Sequence, residues 1–314
     1  MTFIVFLISL VVLLVSANFL VKQTEGLSSK VKISPLIIGA TAIAFGTSLP
    51  ELSVTITSIT ESVPDLSLGN VIGSNITNIL LIAGIAILVF PMRIGTTKTQ
   101  KNNIVNLVVT LLFISAFFLP TGSKEVISYI LAGVYVLFFV AEIFWGEKGS
   151  KKEDKYALSK MKKDHDNPIV IIIKIAVAII LLLSVSHYTV DSAIQIAKFF
   201  KLQNEIIGLS LIAIGTSLPE LIASFASGIN KDYKLLMGDV QGSGIFNLAI
   251  LGAVTLRYTP KLDIQTNIVP LFYLALSTIA IYFLTRKYEG TTIPRYYGLF
   301  FLLGYSSYLL IIFL

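Results

Sequence analysis

The sequence predicts an all-α polytopic membrane protein of ten transmembrane helices, arranged as two inverted five-helix repeats with broken helices 2 and 7 at the centre. Three observations carry this. Of the 314 residues 55% are hydrophobic and only 13% charged, and the mean hydropathy is +0.84, outside the range of soluble domains. Apolar stretches of about 20 residues, the length that crosses a roughly 30 Å hydrocarbon core, recur from end to end. Residues 36–78 align without a gap on residues 205–247 at a constant offset of 169, with 20 of 43 positions identical. The matches include Gly39/Gly208, Ala44/Ala213, Pro50/Pro219, Glu51/Glu220, Gly73/Gly242 and Asn78/Asn247. These are polar and helix-breaking residues rather than interchangeable leucines, so shared composition does not explain the repeat.

The first apolar run, 2–22, lacks a basic leader and a small-residue cleavage site and reads as a retained helix. Further spans follow at 34–58, 67–91, 102–121, 125–145, 168–199, 204–228, 235–256, 265–285 and 293–314. The sixth would be about 48 Å long at 1.5 Å per residue, so it must tilt or leave the bilayer along its more polar end. His187 and Asp191, i and i+4 near that end, read as interfacial polar residues. Loop charge sets the orientation: with both termini extracellular, cytoplasmic loops collect 18 lysines and arginines and the outer side 5. The expected location is the cell membrane, multi-pass, with loop 146–167 cytoplasmic. Each half, 1–145 and 168–314, then has five spans, an odd number, so the second enters the membrane inverted relative to the first. The connecting segment 146–167, with seven lysines and five acids, reads as a solvated linker. No basic patch with interleaved aromatics stands outside the membrane, so nucleic-acid binding is not indicated. Membrane lipid surrounds the chain, and no obligate protein partner is inferred. The absence of cysteine excludes disulfides, thiolate metal sites and cysteine nucleophiles.

The hexapeptide GTSLPE occurs twice, at Gly46–Glu51 and Gly215–Glu220, inside spans two and seven. An ionisable side chain at membrane depth costs about 2.5–3.5 kcal/mol on insertion scales, and its default reading is a functional site in the bundle interior. Pro50 and Pro219 lack an N–H and crowd the carbonyl four residues back, freeing backbone oxygens that are tolerated only inside protein or along a hydrated cavity. Carbonyls of Ala44, Thr47, Ala213 and Thr216, hydroxyls of Ser48 and Ser217, and carboxylates of Glu51 and Glu220 make an anionic all-oxygen set. Such a set suits calcium or sodium rather than a transition metal. In a second element, Gly69–Asn78 and Gly238–Asn247, Ser74/Asn78 and Ser243/Asn247 are i, i+4 pairs that share one helix face. Gly69/Gly73 and Gly238/Gly242 are small-xxx-small patches for close helix approach.

GTSLPE followed by G-N-x-x-G-S-x-x-x-N, duplicated in two five-span halves, resembles the alpha repeats of the sodium/calcium exchanger family, prokaryotic type. The resemblance implies no enzyme and no cofactor, but transported calcium and sodium ions. It implies that Glu51 and Glu220 are central calcium ligands shared with sodium, completed by the carbonyls of Thr47 and Thr216. Ala44, Ser48, Ser74, Ala213, Ser217 and Ser243 would line flanking sodium sites, with Asn78 and Asn247 facing the centre. It further implies a gate formed by spans one and six, and electrogenic exchange of three sodium ions per calcium. Three positions depart from the pattern: Asp239 opposite Asn70, Gly244 opposite Asn75, and Gln241 opposite Ile72. Asp239 reads as an interfacial residue at the start of span eight, favoured by a helix N-terminus, and the central site is assigned a charge of minus two. Asparagine at both 78 and 247 argues against potassium dependence.

Two carboxylates balance one calcium ion, and several sodium ions over overlapping positions balance them equally well, so the two loads compete electrostatically. A calcium/proton antiporter is the alternative, since buried glutamates bind protons. A serine hydrolase using Ser243 and His187 is disfavoured, because Ser243 has a twin at Ser74 while His187 is matched by Asn18. A passive calcium channel stays open as a third reading.

Overall fold

Polar side chains are buried inside this chain while many large apolar ones face outward, unlike a soluble protein. Glu51, Ser48, Ser74, Asn78, Asp239, Ser243 and Asn247 are buried, whereas Leu137, Ile169 and Phe283 are more than 60% exposed. That inversion is what lipid as solvent demands. The computed structural model describes residues 2–31, 35–60, 62, 64–94, 97–120, 122–148, 167–199, 215–259, 262 and 264–313. Most of the expected linker and the segment 200–214 lie outside the described residues, as do the side chains of His187 and Asp191.

The described regular structure is helical: α1 (Thr2–Val31), α2 (Pro35–Ile38), α3 (Ala44–Thr47), α4 (Leu49–Thr60), α5 (Pro64–Ile76), α6 (Gly84–Val89), α7 (Thr97–Ser115) and α8 (Ser123–Lys148) come first. They are followed by α9 (Pro168–Phe199), α10 (Leu218–Ile229), α11 (Tyr233–Phe246), α12 (Gly252–Tyr258), α13 (Ile264–Lys287) and α14 (Tyr296–Phe313). Three π-helical segments interrupt the α-helices at Gly39–Ile43, Thr77–Ala83 and Asn247–Leu251. Five helices are long and apolar enough to cross a membrane among the described residues, or six when the bent pair Leu36–Thr47 and Leu49–Thr60 counts as one. Leu218–Ile229 and Tyr296–Ile312 are apolar but shorter. The chain is therefore a multi-pass, all-helical membrane protein, and the described residues alone do not establish ten spans.

Burial sorts the spans into centre and periphery. Tyr233–Tyr258 is 94% buried and Ser67–Val89 83% buried, against 22% for Pro168–Val185 and 28% for Ser123–Glu142. The two central spans are those that carry the repeated G-x-x-x-G-S elements. At the periphery α1 lies along α9, joined by Ala17, Leu20 and Val21 on one side and Ile171, Ile175 and Ala178 on the other. Both helices, of 30 and 32 residues, exceed what a perpendicular crossing needs.

Glycine sets how closely the centre packs. A Cβ at Gly238 would lie 2.3 Å from Leu36 O, one at Gly242 2.4 Å from Ala40 O, and one at Gly39 2.6 Å from Leu235 O. α11 thus meets α2 and the first π segment backbone to backbone, the contact expected of a small-xxx-small face. Under the 169-residue offset the matching partner of Gly69 and Gly73 is 205–209, which lies outside the described residues.

Loops expected on one side of the membrane are joined. Ile293 N donates to Met92 O at 2.9 Å, Ile94 N to Thr291 O at 3.0 Å, and Gly290 N to Ile94 O at 3.2 Å. Both loops belong to the lysine- and arginine-rich set, and Gly290 makes the turn at φ 73°. Elsewhere Glu142 on α8 is buried, and neither carboxylate oxygen has a hydrogen-bond partner among the described residues. Lys98 and Lys101 act on it through space, with desolvation the larger effect, and attraction without hydrogen bonds does not offset the cost of burying a charge. Glu142→Gln is therefore expected to stabilise the purified protein by about 1 kcal/mol, read as a higher melting temperature in detergent.

Candidate cation-binding site

Each GTSLPE segment folds as a helix, a one-residue break and a new helix. α3 is followed by Ser48, whose φ of −84° and ψ of 12° fall in the sparsely occupied bridge region; Ser217 has φ −86° and ψ 9°. Around the first break Ser48 N donates to Ala44 O at 3.1 Å and Leu52 N to Ser48 O at 3.1 Å. Between them Pro50 has no N–H, and the Glu51 N–H faces its own carboxylate. The carbonyls of Gly46 and Thr47 thereby lose their helical donors. Pro219 and the Glu220 N–H, which also faces its own carboxylate, do the same for Gly215 and Thr216. The axis bends by 43° across the first break, as proline in a helix requires.

The two breaks meet. Ser48 Oγ donates to Glu220 Oε1 at 2.9 Å, and Ser217 Oγ donates to Glu51 Oε1 at 3.2 Å. Each serine thus serves the glutamate of the other copy. The Glu51 and Glu220 carboxylates, both buried, are close enough to repel. The second oxygen of each, Oε2, has no donor among the described residues. Among those residues no group of three or more His, Cys, Asp or Glu side chains is placed to hold a metal, so carbonyls and hydroxyls would have to complete any coordination shell. That composition fits a hard cation.

The flanking helices add the second element. Asn247 Nδ2 donates to Ser74 Oγ at 3.2 Å, linking the halves again, and Ser74 Oγ donates to Val71 O at 3.3 Å. Ser243 Oγ, both amide atoms of Asn78 and Asn247 Oδ1 are buried without a partner among the described residues. Unsatisfied buried groups are few in native proteins and need an explanation; among the described residues six of the seventeen such atoms belong to Glu51, Asn78, Glu220, Ser243 and Asn247. The π segments at Thr77–Ala83 and Asn247–Leu251 begin at or beside Asn78 and Asn247. Such bulges shift the carbonyl register and are frequent at functional sites; they carry no residue signature and were not expected. Ala44 is buried, with its carbonyl accepting from Ser48 N, while Ala213 lies outside the described residues.

Asp239 corrects the sequence expectation. Asp232 is the N-cap, its side chain accepting from Leu235 N at 3.0 Å, so α11 starts at Tyr233 and Asp239 lies two turns inside. It is 1% exposed, not interfacial. Thr47 Oγ1 donates to Asp239 Oδ1 at 3.4 Å and Ser224 Oγ to Asp239 Oδ2 at 3.2 Å. Its counterpart Asn70 accepts from Thr216 Oγ1 at 3.5 Å but donates through Nδ2 to Glu51 O at 3.2 Å. The other two departures are structural. Gln241 Nε2 donates to Asn103 Oδ1 at 2.6 Å and to Thr99 O at 3.2 Å, tying α11 to α7. Gly244 leaves room for Asn75 and Asn106, whose amide atoms lie 3.2–3.4 Å from where its Cβ would stand.

This architecture has known counterparts. The family pattern described as Sodium/calcium exchanger protein matches residues 1–144 and 170–314. The inner membrane protein YrbG of Escherichia coli strain K12 is 31% identical over 257 residues, covering 81% of this chain and 79% of its own length. The sodium/calcium exchanger MaX1 of Methanosarcina acetivorans is 26% identical over 353 residues, covering 99% and 98%. A solved structure of the sodium-calcium exchanger NCX_Mj, soaked with sodium and strontium, superposes with a TM-score of 0.80 at 26% identity, covering 98% of this chain and 96% of that one. With its matched family pattern running through both halves, the chain belongs to the sodium/calcium exchanger family of membrane cation/calcium antiporters.

Proposed function

We propose that the protein exchanges sodium for calcium across the cell membrane by alternating access, extruding calcium electrogenically on the inward sodium gradient. The observation that carries this reading is the reciprocal pairing of Ser48 with Glu220 and Ser217 with Glu51, which gives one buried anionic centre from two repeats. Glu51 and Glu220 hold calcium together with the carbonyls of Thr47 and Thr216. Ala44, Ser48, Ser74, Ala213, Ser217 and Ser243 supply sodium positions on either side, and Asn78 and Asn247 line the middle. One calcium ion and several sodium ions compete because the same carboxylates neutralise both loads, and a site stripped of either resists closure in low dielectric. Residues 1–145 and 168–314 act as inverted five-helix repeats joined by the cytoplasmic linker 146–167, with both termini extracellular. α1 and α9, longer than a single crossing needs and packed on each other, slide as the gate.

Calcium uptake into sodium-loaded proteoliposomes at fixed pH tests this. Uptake is expected to require internal sodium, to ignore a proton gradient, and to quicken under an inside-positive potential, because sodium charge leaves faster than calcium charge arrives. Uptake driven by a proton gradient without sodium would instead establish calcium/proton antiport, and potential-independent uptake would exclude an electrogenic stoichiometry.

A further inference from the structure

The two repeats treat one position differently. Asn70 and Asp239 are counterparts, each accepting from the threonine of the opposite repeat, Thr216 and Thr47. In the first repeat the remaining atom is an amide donor satisfied by Glu51 O. In the second it is a carboxylate oxygen, and Ser224, counterpart of Thr55, turns its hydroxyl to it; Thr55 Oγ1 itself has no partner among the described residues. The pair Asp239 and Ser224 thus replaces an amide arrangement with a buried carboxyl group.

Among the described residues no cationic side chain acts on that carboxyl group. The charged group acting on Asp239 is another carboxylate, Glu220. The Thr47 hydroxyl approaches both Asp239 and Glu220 but has a single proton and also lies 3.1 Å from Ile43 O, so it cannot serve all three acceptors. Glu220 Oε2 is buried without any donor among the described residues. Asp239 does not close on one point with Glu51 and Glu220, since no three-carboxylate group is placed to hold a metal. Two carboxylates and two hydroxyls, one carboxylate oxygen among them undonated, form a small all-oxygen set beside the Glu51/Glu220 centre. A compact monovalent cation fits it, because a divalent ion already has its two carboxylates at that centre.

We propose that Asp239, with Glu220, Thr47 and Ser224, forms a sodium position of its own, present in the second repeat and missing from the first. This rests on the sodium/calcium reading above and deepens it. Three carboxylates are neutralised by three sodium ions, whereas one calcium neutralises two, so the Asp239 position is what the sodium load fills in addition.

The test uses Asp239→Asn, which copies Asn70, and Ser224→Ala, both in the full-length protein. In proteoliposomes, Asp239→Asn is expected to raise the sodium concentration for half-maximal calcium efflux about tenfold, the loss of one charged ligand, and to lower the Hill coefficient for sodium by about one. Calcium-for-calcium exchange continues. Ser224→Ala shifts the sodium dependence in the same direction by a smaller factor. Sodium-induced thermal stabilisation of the purified, calcium-free protein falls in the same order. Wild-type sodium coupling together with an unchanged response in Asp239→Asn overturns this site alone. Loss of calcium-for-calcium exchange in a variant that melts like wild type makes Asp239 a calcium ligand and also overturns it. Sodium without effect on the wild type in either assay overturns the sodium reading and this site together.

Discussion

Glu51→Gln and Glu220→Gln should each reduce sodium-driven calcium uptake by at least about a hundredfold while leaving the protein folded. Glutamine keeps the volume of glutamate and retains an oxygen that can accept from Ser217 or Ser48, so the cross-repeat contact survives in weakened form. What goes is one of two adjacent buried charges. For a divalent ion at a few ångströms, one unit charge is worth several kcal/mol at the effective dielectric of a protein, and a hundredfold corresponds to only about 2.7 kcal/mol. In the absence of ions the same change relieves repulsion between two buried carboxylates, so the purified variants should melt at or above the wild-type temperature. Isotopic calcium flux and a thermal melt on one preparation separate the two effects. Normal flux in both variants would remove the glutamates from the site.

The pairing of these glutamates was legible because the repeat duplicates residues that have no use in lipid: a carboxylate, a proline and a hydroxyl within one hexapeptide. The 91–94 and 290–293 loops, which loop charge assigns to one side, are hydrogen-bonded to each other. Other features left no such trace. A π segment is a one-residue slip in the hydrogen-bond ladder, and apolar residues such as Ile79 and Leu248 accept it without a compositional mark. For Asp239 the expected span begins at 235, only one turn before it, where an aspartate would meet the membrane surface. Asp232 caps the helix earlier and carries Asp239 into the interior. Which glycines are close-packed was also unreadable: the G-x-x-x-G spacing fits any approaching helix, and only the neighbours decide whether a Cβ has room.

Those neighbours make Gly242→Val the second large expectation. Its Cβ would stand 2.4 Å from Ala40 O and 2.5 Å from Ala40 Cα, both backbone atoms, so relief requires α11 and the Gly39–Ile43 segment to part. Overpacking of this kind costs about 1–3 kcal/mol even where side chains can adjust; here they cannot, and Gly39 and Gly238 hold the same contact from either end. The shift also bears on the site, since the π segment leads directly into Ala44 and Thr47, and Thr47 reaches Asp239 across this interface. Gly242→Val should therefore lower both the yield of folded protein and its melting temperature, and the fraction that does fold should exchange poorly. Gly133→Ala, at an exposed helix position with nothing within 4 Å of the new Cβ, serves as the control and should be neutral or stabilising by about 0.5–1 kcal/mol. Size-exclusion profiles and melts of the two variants decide the matter: a Gly242→Val protein as stable as Gly133→Ala would mean that α11 is not held against the π segment by backbone contact.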